Sequence, residues 1–187
     1  MTIVDIFSQI AQRMVEGLMT HSQLADYFGF IGLEGYQKCH VYRYFDENNN
    51  YKKIADYYLK HYNKLLVDMP FNNPNVIPND WFQYSRQQVN DTIRINALQA
   101  GIDKWINWEK GTKRFYEQHY QELLQLNEIA AAIELSKYIE DVDKELAEAE
   151  QEKIKLEAIN YNISDVMLEQ KEIYKQYNKK LKEIKLC

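Results

Sequence analysis

Two side chains in this chain are polar where the pattern around them is apolar. Glu109 lies on the run Ile95, Leu98, Ile102, Trp105, Glu109, Thr112, Tyr116, His119, Leu123 and Leu126, spaced alternately by three and four residues. That is the stripe of a helix turned towards a core. His61 lies on a second stripe, Ile54, Tyr58, His61 and Leu65. A carboxylate and an imidazole in such places must find partners. They can hydrogen-bond each other or a tyrosine, or they can serve as ligands of a metal ion. Glu34 sits beside the stripe of its own helix and could add a further acidic ligand. His119 shares the stripe of Glu109, but ten residues on it is roughly 15 Å away. It reads as a core or interface histidine. His21 and His40 fall near helix ends or on mixed faces and read as surface residues. Cys39 and His40 point about 100° apart on a helix, so they are no nucleophile–base pair. Asp141, Asp143, Glu145, Glu148, Glu150 and Glu152 read as a solvated face punctuated by Lys144 and Lys153. Asp143 is offset from the stripe through Val142 by roughly 70° and Glu145 is placed farther round.

No Gly-rich phosphate loop, Gly-x-Ser-x-Gly elbow, Cys-x-x-Cys or His-Glu-x-x-His is present. The 187 residues suit one domain, and a net charge of −5 without a basic block gives a nucleic-acid role no electrostatic support. No apolar run reaches the ~18 residues a membrane span needs, so no membrane partner is expected. With only Cys39 and Cys187, a disulfide framework is not expected and the default setting is cytoplasmic. The 15 tyrosines suit helix interfaces that are apolar along the ring and wet at the hydroxyl.

Scarce Gly and Pro favour long helices, and the expected class is all-α. A helix over about 2–17 carries Ile3, Ile6, Phe7, Ile10 and Met14 on one face. Core helices are expected over about 20–45, 51–68, 86–126 and 129–159. Thr20 has the form of a capping residue, and Asp46-Glu47-Asn48-Asn49-Asn50 that of a break. Pro70, Pro74 and Pro78 make Met69–Asp80 irregular, long enough to carry the chain from one end of a bundle to the other. Tight breaks fall at Asn127-Glu128 and Asn160–Ser164, and a last helix covers about 165–185. The whole reads as a single helical domain, 1–187, with a core bundle at about 20–159 and flanking helices at about 2–17 and 165–185.

This order of helices, with Trp108-Glu109 and the acidic stretch Ile139–Glu145, resembles the ferritin-like superfamily. Lys60-His61-Tyr62-Asn63-Lys64-Leu65-Leu66 and Gln23-Leu24-Ala25-Asp26-Tyr27 are similar to family segments on the first two core helices. The resemblance covers about Thr20 to Ile159. It implies an up-down-down-up four-helix bundle with a long crossover, and a two-iron centre held by glutamates and histidine. Carried over residue by residue, His61 and Glu109 match the family's ligands. Gln23, Tyr58 and Val142 stand where it has others, so the ligand set is incomplete. The resemblance then implies a non-catalytic structural or interaction module with no cofactor. The alternative is an iron- or manganese-binding protein with an altered centre on Glu109, His61, Glu34 and Asp143. The apolar face of Ile3, Phe7, Ile10 and Met14, left over by a four-helix core, leads to an expected dimer or small homo-oligomer.

Overall fold

The computed structural model describes residues 2–66 and 84–184. Helix α1 (Ile3–Phe30) opens on a capping box: the Asp5 amide donates to Thr2 Oγ1 and the Thr2 amide to Asp5 Oδ2. It runs unbroken because Phe7, Ile10, Met14, Gly17, His21, Leu24, Phe28 and Ile31 keep an alternating three–four spacing. Thr20 does not cap a new helix. Its hydroxyl donates back to the Glu16 carbonyl at 2.8 Å, a bond made inside a continuing helix. The real stop is Gly32, at φ +79°, with the Leu33 amide donating to the Phe28 carbonyl at 2.9 Å.

Helix α2 (Glu34–Tyr62) passes straight through Asp46–Asn50. Glu47 turns inwards there, and Asn50 accepts from Lys53 Nζ rather than capping a backbone amide. Helix α3 (Asp91–Gln125) starts five residues later than expected, where Asn90 Oδ1 accepts from the Ile93 amide. Residues Arg86–Gln88 form only a short 3-10 turn. Helix α4 (Ile129–Ala158) follows a left-handed Asn127, and helix α5 (Ile163–Glu183) follows left-handed Asn160 and Tyr161. Both of these breaks lie where the sequence places them. Among the described residues there is no strand, and no helix is long and apolar enough to cross a membrane.

The helix order is up-down-down-up. Along α1, Arg13, His21, Tyr27 and Ile31 meet Thr112, Glu109, Ala97 and Arg94, so α3 runs against α1. Along α2, Tyr36, Arg43 and Tyr62 meet Glu152, Glu145 and Glu128, so α4 runs against α2. Helices α2 and α3 are therefore parallel, and the chain between them joins opposite ends of the bundle. The proline-rich stretch Met69–Asp80 expected to do so lies outside the described residues, as does Cys187. Helix α5 lies along α2 and meets α4 through side chains, Tyr177 donating to Glu148 and Lys155 to Glu169.

The expected helices 2–17 and 20–45 are thus redistributed. Residues 2–17 are the first half of core helix α1, and the second half of 20–45 joins 51–62 in α2. Phe7, Ile10 and Met14 are buried in a core cluster with Ile54, Tyr58, Tyr116, Leu135 and Val142, not left over on a flank. A second cluster, including Leu24, Phe28, Tyr36, Leu98, Ile102, Trp105, Ala149 and Leu156, fills the other half. Phe7→Asp should therefore unfold the protein rather than split an oligomer. Gly35 sits where a Cβ would come within 1.9 Å of the Gln170 carbonyl oxygen. Gly35→Ala should cost about 1–3 kcal/mol in urea denaturation and expose α5 to proteolysis; unchanged stability and protection would refute this seating of α5.

Candidate metal centre

Between the two apolar clusters lies one layer of polar side chains, supplied by all four core helices. The same stripes that build the apolar clusters deliver it. On α1 the stripe steps from Met14 through Gly17 to His21 and Leu24. On α2 it steps from Tyr36 through His40, Arg43 and Glu47 towards Ile54, on α3 from Trp105 through Glu109 to Thr112, and on α4 from Val142 through Glu145 to Ala149.

His21, Glu109 and Glu145 each offer a ligand atom, and these atoms all lie within 4.8 Å of one another. His21 Nε2 is 3.5 Å from Glu109 Oε1, and both side chains are fully buried. Glu109 Oε1 accepts from Trp105 Nε1 at 3.0 Å, whereas Glu109 Oε2 and His21 Nε2 have no hydrogen-bond partner. On its other side, His21 Nδ1 lies 3.0 Å from His40 Nδ1. The Arg43 guanidinium is paired with Glu145 through Nη1 and with Glu148 through Nη2. Glu47 is buried at the same level. Its room comes from Gly17, where a Cβ would fall 2.5 Å from Glu47 Oε1.

Burial dominates the electrostatics. It pushes Glu109 up to about 7 against the pull of Arg43 and the Trp105 bond, and Glu145 up to about 7 against Arg43. It also drives Glu47 well above the carboxylate range, reinforced by Glu145 and Glu109. Burial pulls His21 down to about 4 and His40 well below its ordinary value, so both rings are neutral at pH 7. Burial opposes the charge of Arg43 as well, but its carboxylate neighbours, Glu145 first, restore it, and the guanidinium stays charged.

The donor set of one imidazole and carboxylates suits Fe(II) or Mn(II). On an octahedral ion with ligands at about 2.1 Å, trans ligands stand about 4.2 Å apart and cis ligands about 3.0 Å, so the three side chains would have to draw together to close on one ion. Arg43 occupies Glu145 and Glu148, and His21, Glu109 and Glu145 are the one group of this kind among the described residues.

Of the residues singled out in the sequence, Glu109 is in the layer. His61 is exposed near the end of α2, stacked on Tyr57 at 3.9 Å, with Nδ1 on the Tyr57 carbonyl. Glu34 is exposed in the first turn of α2, and Asp143 is exposed and bonded to Lys113 at 2.6 Å. The structure does not bring these three to Glu109. Gln23 is half-buried on α1, off the stripe that carries His21. His21 and His40, read as surface residues, are buried at the centre, because α1 and α2 have different bounds from those expected. Glu145 and Glu152, read as solvated, turn inwards, Glu152 buried and Glu145 half-buried: the inward stripe of α4 runs Leu135, Tyr138, Val142, Glu145, Ala149, Glu152 and Leu156. That three–four spacing is readable in the sequence, but Leu135, Ile139, Val142, Leu146 and Ala149 form a rival, wholly apolar stripe that bypasses Glu145. His119 is a core histidine, bonded to Glu122 at 2.6 Å.

No known family profile matches the sequence, and no curated protein matches it significantly. Solved structures do match. A humanized archaeal ferritin superimposes with a TM-score of 0.75 at 15% identity, covering 91% of this chain and 94% of that one. A closed form of the Archaeoglobus fulgidus ferritin, engineered by site-directed mutagenesis, gives 0.75 at 16% identity over 93% and 96% of the two chains. The open pore ferritin from the hyperthermophilic archaeon Archaeoglobus fulgidus gives 0.74 at 16% over 91% and 93%. At such identities the likeness is one of fold: this chain has the ferritin-like four-helix bundle, with a fifth helix packed along it.

Proposed function

We propose that this ferritin-like bundle binds a single iron or manganese ion in its polar layer, on His21, Glu109 and Glu145. The observation that carries this reading is the pair of orphaned, buried ligand atoms, His21 Nε2 and Glu109 Oε2, in one converging group. Unpartnered buried polar atoms are costly and uncommon, and a cation between them would satisfy both. Such an ion would supply redox or Lewis-acid chemistry when bound. The chain's part is to hold it: Trp105 fixes one oxygen of Glu109, Arg43 anchors Glu145, and the apolar clusters on either side exclude water.

A second reading has an observation of its own. Arg43 already sets a cation against Glu145 and Glu148, as a protein that has replaced a metal by an internal charge would do. On that reading the chain is a non-catalytic structural or interaction module and the layer fixes helix register. On either reading we retain a cytoplasmic setting and a dimer or small homo-oligomer. The associating surface would be the exposed Leu124, Leu126, Ile129 and Ile133 around the α3–α4 turn. Light scattering on a size-exclusion peak should give a mass above that of one 22.4 kDa chain; a monomer mass that does not change on concentrating counts against self-association.

Elemental analysis of protein grown with added iron and manganese should find about one ion per chain, and His21→Ala with Glu109→Ala should remove it. Metal-free wild type whose melting temperature ignores both ions would leave the module reading; about two ions per chain would overturn both.

Glu109 also gives a pH-dependent prediction. Its pKa is raised in the fold to about 7 from 4.5. The folded state therefore holds the proton more tightly than the unfolded one. That contribution to stability is fully present below the unfolded pKa and is lost as pH rises through the folded one. In metal-free protein, Glu109→Gln should stabilise by about 1–3 kcal/mol at pH 8 and by little at pH 5. Denaturation curves at the two pH values check this, and equal effects at both would refute it.

A further inference from the structure

His40 has one polar contact, its Nδ1 at 3.0 Å from the Nδ1 of His21, and its Nε2 is buried without a partner. The rest of the ring is held by apolar packing. It stacks on Phe28 at 5.3 Å with 5° between the planes, and meets Trp105 edge-on at 4.9 Å. A leucine would fill such a place without an orphaned nitrogen. The polarity of His40 is therefore directed at His21 alone.

A hydrogen bond between two Nδ1 atoms has a single donor, and the choice of donor sets the chemistry on the far side of His21. If His40 donates, the His21 proton sits on Nε2, which then has no lone pair to offer. If His21 donates, its Nε2 presents a lone pair to the group formed with Glu109 and Glu145, and the His40 proton sits on its own Nε2. The first arrangement would aim an N–H at Glu109. Yet His21 Nε2 makes no hydrogen bond there at 3.5 Å, and Glu109 Oε1 already accepts from Trp105.

We propose that His40 is a positioning residue: it accepts the His21 Nδ1 proton and so holds His21 in the tautomer, and the ring orientation, that lets Nε2 ligate a metal ion. This rests on the metal reading above, with His40 in the orienting place that a ligating histidine's partner takes.

The test compares wild type with His40→Leu, which keeps the packing and removes the acceptor, and His40→Asn, whose amide oxygen can take the Nδ1 position. Cobalt(II) titration followed by visible absorption should show affinity about 10–100-fold weaker for His40→Leu. His40→Asn should stay close to wild type, and the melting temperature of metal-free His40→Leu should not fall. Long-range proton–nitrogen correlation on metal-free wild type should show His21 protonated at Nδ1 and His40 at Nε2. That measurement decides the assignment even if His40→Leu does not fold. Cobalt affinity unchanged in His40→Leu, equal loss in both variants, or a His21 proton on Nε2 would each overturn the proposal. A His21 Nδ1 proton without any cobalt binding would overturn the metal reading and leave only the tautomer assignment.

Discussion

The structure depends on one constraint: Glu47 and Glu109 are buried, and Glu145 is half-buried, at one level of a bundle where Arg43 is the buried guanidinium. Carboxylates at this depth are tolerated when paired, hydrogen-bonded or neutral. Each of these devices is in use. Arg43 takes Glu145, Trp105 takes one oxygen of Glu109, and protonation is favoured at all three carboxylates. Gly17 gives up its side chain so that Glu47 has somewhere to lie, and a helix interior accepts that glycine at roughly 1 kcal/mol. The apolar clusters above and below then act as walls, keeping out the water that would otherwise screen these charges.

Helix α5 belongs to the same arrangement. Arg43 reaches past Glu145 to Glu148, and from there the polar groups continue up α4 to Glu152. Tyr177 on α5 donates to Glu148, and Tyr36 on α2 donates to Glu152 at 2.6 Å. These hydroxyls satisfy carboxylates while their rings fill the cluster around Trp105 and Ile102. Part of the abundance of tyrosine follows from this. A side chain with an apolar body and a donor at its tip can close an acidic face against another helix. Gln170 does the same for the backbone, accepting from the Gly35 amide at the otherwise uncapped start of α2. Without α5 these acidic groups and that amide would face water, and the fifth helix is structurally part of the core.

The helical class, the bundle order and the stripe of α3 were legible in the sequence, because an unbroken three–four pattern of ten residues leaves little freedom. The first two helices were not. Phe28-Gly29-Phe30-Ile31-Gly32-Leu33 looks like helix interior, but Gly32 alone supplies the left-handed turn there. Asp46–Asn50 looks like a break, but one of its residues, Glu47, belongs to the site. Both errors have the same source: propensity treats polar residues as helix ends and apolar ones as interior, and a buried polar layer reverses that rule. The site was therefore hidden by its own composition. Of its members only Glu109 was singled out: His21, His40 and Glu47 fell with the misplaced ends of the first two helices, and Glu145 with the acidic run read as a solvated face.

On the metal reading proposed above, the same layer favours a single cation. Glu145 already shares its charge with Arg43, so it would serve as a third ligand to one ion held chiefly by His21 and Glu109, whereas a second divalent ion would add another cation beside Arg43 in a medium of low polarity, where like charges repel strongly. Glu109 makes no ion pair with Arg43: its Oε1 lies 3.5 Å from Nε2 of the neutral His21, and that nitrogen and Glu109 Oε2 are both unpartnered. A neutral histidine binds a metal without losing a proton, whereas Glu109, raised to about 7, would give up part of a proton on binding near neutral pH. Arg43 thus divides the layer in two. One half, towards Glu148 and α5, is neutralised by the chain itself; on the metal reading proposed above, the other half, between His21 and Glu109, is where an ion would sit.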